Sequence, residues 1–246
     1  MHRLIGKEIV MRIYHRPLIA GLLLLASALP ARAQSGPDPS GHWEGSVQAP
    51  GTPVPFELDL AKRANGGFDG TLTVAAQKIK SLPLTKVAVE GSSVAFHARS
   101  DQPFTGVLSD DGQSITGEFL ISGNSLPFTL ARSGEARIQR PAPSARIAKE
   151  LEGTWTATVV AEGVERHLVM TLENHPDGTA SGRVVNEDEG GLTLPVAIAQ
   201  EGKHITIETL PIASTFVATL NDAATELEGT VTQGPATARV TFRRAK

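Results

Sequence analysis

Apolar and polar residues alternate with a period of two along much of the chain. The segments 54–60, 115–121 and 126–130 each place apolar or small side chains at every second position, which is typical of strands with one buried face. Turn signals rich in glycine, asparagine and aspartate separate these segments about every 8–12 residues. This spacing predicts hairpin-linked antiparallel strands and therefore an all-β fold.

The same pattern occurs twice. Residues 41–132, called copy one here, align without gaps on residues 153–244, called copy two, with 16 identical positions. The first tryptophan and the last arginine of each copy are among the matches: Trp43 with Trp155, and Arg132 with Arg244. Self-similarity at a fixed offset indicates a duplicated unit, so we expect two tandem domains of about eight strands each.

Several strands of both copies place a large, a small and a large residue on one face. Trp43, Gly45 and Val47 form one such row in copy one, and the second copy has Ala157 in place of Gly45. Small residues in mid-strand allow a sheet to coil, and a closed sheet has no exposed edge. The pattern predicts two antiparallel up-and-down β-barrels.

The N-terminus has the features of an export signal. Basic residues precede an apolar run from Leu18 to Leu29, and Ala31-Arg32-Ala33 predicts cleavage before Gln34. Met11 is a second possible start. The apolar run is shorter than the ~20 residues that span a bilayer, so we expect a periplasmic or secreted protein with no membrane insertion after cleavage.

These boundaries divide the chain into four parts. Residues 1–33 are the predicted signal peptide, 38–132 the first barrel, 133–150 a linker and 151–246 the second barrel. The linker begins with a proline-containing stretch and ends in helix-forming residues. A helix of one or two turns and an extended tether are both compatible with it, because so short a helix is marginal without packing.

Charge and composition exclude several classes of function. Without residues 1–33 the chain has 18 basic and 25 acidic side chains, a net charge of −7, which disfavours nucleic-acid partners. The absence of cysteine excludes disulfides, thiolate metal sites and cysteine nucleophiles. We expect a monomer without cofactors.

Motifs for catalysis or metal binding are missing. The chain lacks a nucleophile elbow, a zinc-protease motif and a phosphate loop. Its histidines beyond the leader are scattered singly, and we expect them to be exposed and not to bind metal. Residues 187–191, Glu-Asp-Glu-Gly-Gly, could form a calcium loop or a solvated hairpin tip, of which the tip is favoured. No catalytic residue is predicted.

Three segments together resemble a known group of proteins. The Gly-x-Trp opening at 41–43, the segment 104–112 and the segment 126–132, which ends in arginine, resemble lipocalin-like (calycin-type) barrels. They are most similar to small lipocalin-like domains of secreted bacterial proteins, a type also found ahead of exported α/β-hydrolase domains. The resemblance implies that Arg132 stacks on Trp43, and Arg244 on Trp155, to close one end of each barrel.

Phenylalanine is concentrated in copy one, which holds six of the eight rings. These rings either fill a packed core, the favoured interpretation, or line an apolar pocket opposite the Trp43 end for one small ligand. The candidate ligand-binding residues are Phe56, Phe68, Phe96, Phe104, Phe119 and Phe128. We expect an exported, non-enzymatic protein that binds a small hydrophobic molecule, or else an interaction or inhibitor module for a secreted hydrolase or peptidase.

Overall fold

The computed structural model describes residues 37–138, 142–161 and 163–246, and the predicted signal peptide lies outside these ranges. Two antiparallel sheets of nine strands each account for most of the described chain, which confirms the all-β prediction. The described residues contain no helix that is long and apolar enough to cross a membrane.

Copy one forms a curled meander. Its strands are β1 Gly41–Val47, β2 Val54–Lys62, β3 Phe68–Val74, β4 Ile79–Pro83, β5 Lys86–Glu90, β6 Ser93–His97, β7 Phe104–Leu108, β8 Ser114–Ile121 and β9 Asn124–Gly134. A short 3-10 helix, Ala75–Gln77, precedes β4. The sheet order is β4-β3-β2-β1-β9-β8-β7-β6-β5, so its first and last strands in space are β4 and β5.

Copy two closes into a barrel. Its strands are β11 Gly153–Ala161, β12 Val164–Asn174, β13 Thr179–Asn186, β14 Leu192–Glu201, β15 His204–Thr209, β16 Ser214–Leu220, β17 Glu226–Gln233 and β18 Ala236–Arg244. A 3-10 helix, Leu210–Ile212, lies between β15 and β16. β11 pairs with β18, and β13 pairs with β14, so the eight strands form a complete ring.

One strand determines why copy two is closed and copy one is open. In copy two, β14 is continuous and pairs with both β13 and β15. In copy one, its counterpart is broken into β4, which pairs only with β3, and β5, which pairs only with β6. The prediction of a closed barrel is therefore correct for copy two, whereas copy one is open beside β4.

The linker contains no helix in its described part. Ser144–Ala145 forms a two-residue strand, β10, on β13, and the chain then turns at 149–151. Ile147 and Leu151 are buried in the core of copy two. Packing of these side chains and pairing with β13 hold the segment extended, so the helical alternative for the linker is wrong.

Candidate ligand-binding site

One end of copy one is occupied by a tryptophan and an arginine. The Arg132 Cζ lies 4.3 Å from the Trp43 ring centroid, and Trp43 is fully buried. The guanidinium donates hydrogen bonds to the carbonyl oxygens of Gly112 (2.7 Å) and Asp38 (2.8 Å) and to that of Ser40. The arginine thereby ties the β7–β8 turn to the segment that precedes β1.

Copy two repeats this arrangement. The Arg244 Cζ lies 4.3 Å from the Trp155 ring centroid, and its guanidinium bonds to the carbonyl oxygens of Ala224, Glu152 and Glu150. These acceptors stand at the positions of Gly112, Ser40 and Asp38 in copy one. A cation over an indole ring and hydrogen bonds from a charged donor are both stabilising contacts, and each of these partly buried arginines makes both.

The rings of copy one form a stack across three neighbouring strands. Phe104 on β7 is stacked on Phe96 of β6, with centroids 4.8 Å apart, and on Phe119 of β8, with centroids 4.2 Å apart. Phe128 meets Phe104 edge-on at 5.5 Å, and Phe56 lies 5.4 Å from Phe104. Five of the six candidate phenylalanines are thus brought together.

A cavity of about 360 Å³ lies beside this stack, in the half of copy one away from Trp43. Phe56, Phe104 and Phe119 form part of its wall, whereas Phe96 and Phe128 are buried behind it. Phe68 stands at the start of β3, opposite Lys62, and does not line the cavity. The aliphatic part of the wall consists of Val47, Ala49, Val54, Leu72, Val74, Ile79, Leu82, Ala98, Ile121, Leu126 and, from copy two, Leu192.

Copy one therefore combines both alternatives that the phenylalanines left open. Near Trp43 the interior is a packed core, with Leu58, Leu60 and Phe128 almost completely buried. Toward Val47 at the end of β1 and Val54 at the start of β2, the interior opens into the cavity, because the sheet is broken between β4 and β5. A concave apolar site with a few polar groups at its edge is the usual form of a small-molecule pocket.

The polar groups that line the cavity are all at least partly exposed, and they form its rim. They are Gln77, Arg99 and Gln102 of copy one and Glu189 of copy two. Arg99 donates two hydrogen bonds to Asp101, at 3.1 and 3.0 Å, and its Nη1 lies 3.7 Å from Glu189. The pKa of Asp101 is held below its ordinary value mainly by the hydrogen bond from Arg99 and, to a smaller extent, by the positive charge of that arginine.

The β13–β14 turn of copy two, residues 187–191, is attached to this rim. Ser100 donates to the carbonyl oxygen of Gly190 from its backbone nitrogen (3.0 Å) and from its hydroxyl (2.9 Å). Gly190 has a φ of +60°, and a Cβ there would lie 2.6 Å from the Asp101 Cγ. Glycine adopts this left-handed conformation at no steric cost, and its lack of a side chain leaves room for the Asp101 carboxylate in its present position.

An apolar contact between the copies extends the same interface. Leu82 and Ala98 of copy one and Leu194 of copy two are buried together, and Leu192, which also lines the cavity, packs against them. Copy two thus covers the broken side of copy one. No pattern in the sequence indicates this contact. Residues 187–191 form the hairpin tip that the sequence favours over a calcium loop, with Glu187, Asp188 and Gly191 exposed, but its Glu189 and Gly190 are only half exposed because they lie against copy one.

A buried histidine lies on the outer side of copy one. His42 is 2% exposed, and its Nδ1 is 2.9 Å from Asp59 Oδ1. The same carboxylate accepts the backbone N–H of Arg137 at 2.7 Å, and His42 Nε2 lies 3.3 Å from Glu44 Oε1. The expectation that every histidine is exposed is wrong here, because the chain following β9 covers the His42–Asp59 pair.

A second histidine–carboxylate pair holds the β13–β14 turn. His167 on β12 lies 3.1 Å from Asp188 and is exposed. Its hydrogen bond to Asp188, and then the charge of that carboxylate, raise the pKa of His167. Arg166 donates to Glu189 at 3.1 Å, so both neighbouring acids of the turn have partners on β12. The described residues contain no group of three or more histidine or acidic side chains placed to hold a metal ion.

The comparisons with known proteins add little about function. No family model and no curated protein matches the chain. Among solved structures, a protein from Bacteroides fragilis described as a "putative outer membrane protein" is 12% identical, with a TM-score of 0.26; the match covers 84% of this chain and 97% of that one. A protein of unknown function from Nostoc punctiforme, assigned to the DUF3598 family, is 14% identical with a TM-score of 0.25, covering 84% and 96% of the two chains.

Proposed function

We propose that this chain is an exported, non-enzymatic protein of two lipocalin-like units that binds a small apolar molecule in copy one. The observation that carries the proposal is the cavity of about 360 Å³ walled by Phe56, Phe104, Phe119 and aliphatic side chains. Burying apolar surface there gains roughly 25 cal/mol per Å². Copy two and the Trp–Arg contacts provide the rigid frame of the site.

Other concave surfaces are less suited to such a ligand. One of them, of about 990 Å³, is an open groove lined by Lys62, Arg63, Asn65, Asp69, Ala61, Ala64, Ala136 and Ile138. Its walls mix charged and polar side chains with small apolar ones and are open to solvent, so an apolar molecule would bury little surface there. In copy two, Val231 and Val240 stand where copy one has Phe119 and Phe128, and the ring is closed.

Two substitutions on one strand test the site. Ile121 on β8 lines the cavity, whereas Leu120 next to it points outward and is 43% exposed. Ile121→Trp should fill the cavity and weaken binding of the neutral fluorescent probe N-phenyl-1-naphthylamine by about tenfold or more. Leu120→Trp adds the same side chain outside and should leave the affinity unchanged.

Fluorescence titration of the full chain gives the affinities, and far-UV circular dichroism shows that both variants are folded. Equal affinities for wild type and Ile121→Trp would place the probe elsewhere and contradict the proposal. A folded wild type that binds neither this probe nor any co-purified molecule in native mass spectrometry would also contradict it. That result would favour the interaction-module alternative.

A further inference from the structure

The rim of the cavity contains four charged side chains that neutralise one another. Asp101 pairs with Arg99, Arg99 lies 3.7 Å from Glu189, and Glu189 accepts a hydrogen bond from Arg166. Two of these charges are positive and two are negative. Each arginine therefore already has a carboxylate partner, and a ligand with an anionic head group would find no uncompensated cation among the described residues that line the cavity.

A carboxylate head group would also be placed close to two existing carboxylates. Glu189 lines the cavity itself, and Asp101 is bound to the lining residue Arg99. Like charges that approach within a few ångströms repel each other, and the repulsion is larger where apolar walls exclude water. To bind tightly, such a head group would have to displace Asp101 or Glu189 from Arg99.

Uncharged polar groups remain available at the same rim. Within the described part of the chain, the side-chain amides of Gln77 and Gln102 form no hydrogen bond, and both line the cavity. An amide offers both a donor and an acceptor. A hydroxyl, ester or amide head group can therefore be satisfied there without disturbing the charged network.

We propose that the cavity selects amphiphiles with an uncharged, hydrogen-bonding head group over fatty acids of equal length, and that copy two imposes this selection through Glu189. This inference rests on the proposed function. It assigns a role to the β13–β14 turn, which the Ser100–Gly190 hydrogen bonds and the Leu192 contact hold against copy one. Neither copy alone carries the complete rim.

The test is competition against N-phenyl-1-naphthylamine on the full chain, with decanol and decanoate as competitors. At neutral pH decanoate is ionised. Decanol should displace the probe from the wild type at about a fivefold lower concentration than decanoate, a difference in the range of one partly exposed charge interaction. Equal potency, or stronger binding of decanoate, would overturn the selection.

Three substitutions test which side chains cause the preference for decanol over decanoate. Glu189→Gln keeps the shape of the side chain but leaves Arg99 and Arg166 with one acid fewer, so decanoate should bind about fivefold more tightly while decanol is unaffected. Asp101→Asn should act in the same direction from copy one. Glu187→Gln removes a charge from the same turn at a residue that does not line the cavity, and should change neither affinity.

The outcomes separate the two proposals. If the wild type binds the probe and Glu189→Gln behaves like Glu187→Gln, the role of copy two is overturned while the ligand site remains. If Asp101→Asn also has no effect on decanoate, the charged network does not govern selection. If the wild type does not bind the probe at all, both the proposed function and this inference fail.

Discussion

Gly45 on β1 lies directly against the backbone of Thr129 on β9. A Cβ at Gly45 would be 2.8 Å from the Thr129 carbonyl carbon and 2.9 Å from the Leu130 Cα. The absence of a side chain allows the two strands to stay paired from Trp43↔Arg132 to Val47↔Phe128. In copy two the corresponding residue is Ala157, and pairing between β11 and β18 is limited to Trp155↔Arg244 and Thr156↔Arg243.

Gly45→Ala should therefore separate residues 45–47 of β1 from β9. The methyl group meets backbone rather than a movable side chain, so we expect a loss of about 3 kcal/mol in the free energy of unfolding. Gly67→Ala is the matched control, since its Cβ would find only ordinary contacts, and it should change stability by less than about 1 kcal/mol. Urea denaturation measures both. Similar losses for the two variants would show that Gly45 is not a packing requirement.

The reciprocal change is Ala157→Gly in copy two. Removing the methyl group gives β11 the space that β1 already has, so the hydrogen-bonded ladder with β18 should extend beyond Thr156↔Arg243. Amide exchange measured by mass spectrometry should then slow in β18 peptides that contain Val240 and Thr241. Unchanged exchange there would mean that another feature separates the two strands.

The Trp–Arg contacts give a second prediction. Arg132→Ala removes the guanidinium from Trp43 and from three carbonyl oxygens, and should destabilise copy one by about 3 kcal/mol. Arg63→Ala removes a partly exposed ion pair with Asp69 and should cost at most about 1 kcal/mol. Arg244→Ala should act on copy two as Arg132→Ala acts on copy one.

Calorimetry of the full chain distinguishes the copies. Because their described contacts are concentrated at the cavity rim and the small cluster around Leu82 and Leu194, we expect Arg132→Ala and Arg244→Ala to lower different transitions. A single transition that both substitutions shift as a whole would show instead that the two copies unfold as one cooperative unit.

The alternating pattern and the repeat were sufficient to predict the class of fold, because burial on one face of a strand leaves a direct record in the sequence. They did not predict the break between β4 and β5. Both segments contain Leu-Pro at the same position, Leu82-Pro83 and Leu194-Pro195. After it, copy two keeps its alternation through Val196 and Ile198, whereas in copy one the apolar positions shift by one residue, from Leu84 to Val87 and Val89. A shift of this kind is equally compatible with a bulge in a continuous strand. Which neighbours a strand pairs with depends on tertiary packing that this pattern does not encode.

The site was predictable in part for a similar reason. Inward alternation identified Phe56, Phe104 and Phe119, and the expected pocket position away from Trp43 matches the cavity. The rim was not predictable, because Glu189 is distant in sequence from Arg99 and meets it only through contact between the copies. The burial of His42 likewise depends on the chain beyond β9, whose path the local pattern does not indicate.

The His42–Asp59 pair gives a third prediction. The two residues are cross-strand partners in copy one, and Thr154 and Thr171 occupy the same places in copy two. Asp59→Thr alone removes the buried carboxylate from His42 and from the Arg137 N–H, leaves only the exposed Glu44 beside the imidazole, and should cost about 3 kcal/mol. His42→Thr combined with Asp59→Thr reproduces the neutral pair of copy two and should cost less than the two single changes added together.

A double-mutant cycle by chemical denaturation measures this coupling. Thr154→Val, which alters the neutral pair in copy two, is the control for loss of a cross-strand polar group and should have a smaller effect. Strict additivity of His42→Thr and Asp59→Thr would mean that the two side chains do not stabilise each other.

The β13–β14 turn should be most firmly held in mildly acidic solution. Since the pKa of His167 is raised by Asp188, its contribution to stability is complete below about pH 6.5, the ordinary histidine value, and is lost as the pH rises through the higher folded-state pKa. Backbone and side-chain hydrogen bonds from His167 lower the pKa of Asp188, so that contribution is present above about pH 3.9 and is lost as the pH falls through the lower folded-state value. Both contributions are therefore present between about pH 4 and pH 6.5.

Hydrogen exchange corrected for the intrinsic rate should show residues 187–191 better protected at about pH 6 than at about pH 8. Glu165 and Glu187 also face His167 and favour its charged form, so they act in the same direction. His167→Gln should remove the difference, whereas His175→Gln, a residue of the neighbouring β12–β13 hairpin bonded to Ser181, should leave it intact. Protection that rises from pH 6 to pH 8 in the wild type would contradict this account, because deprotonation of His167 can only weaken its interaction with Asp188.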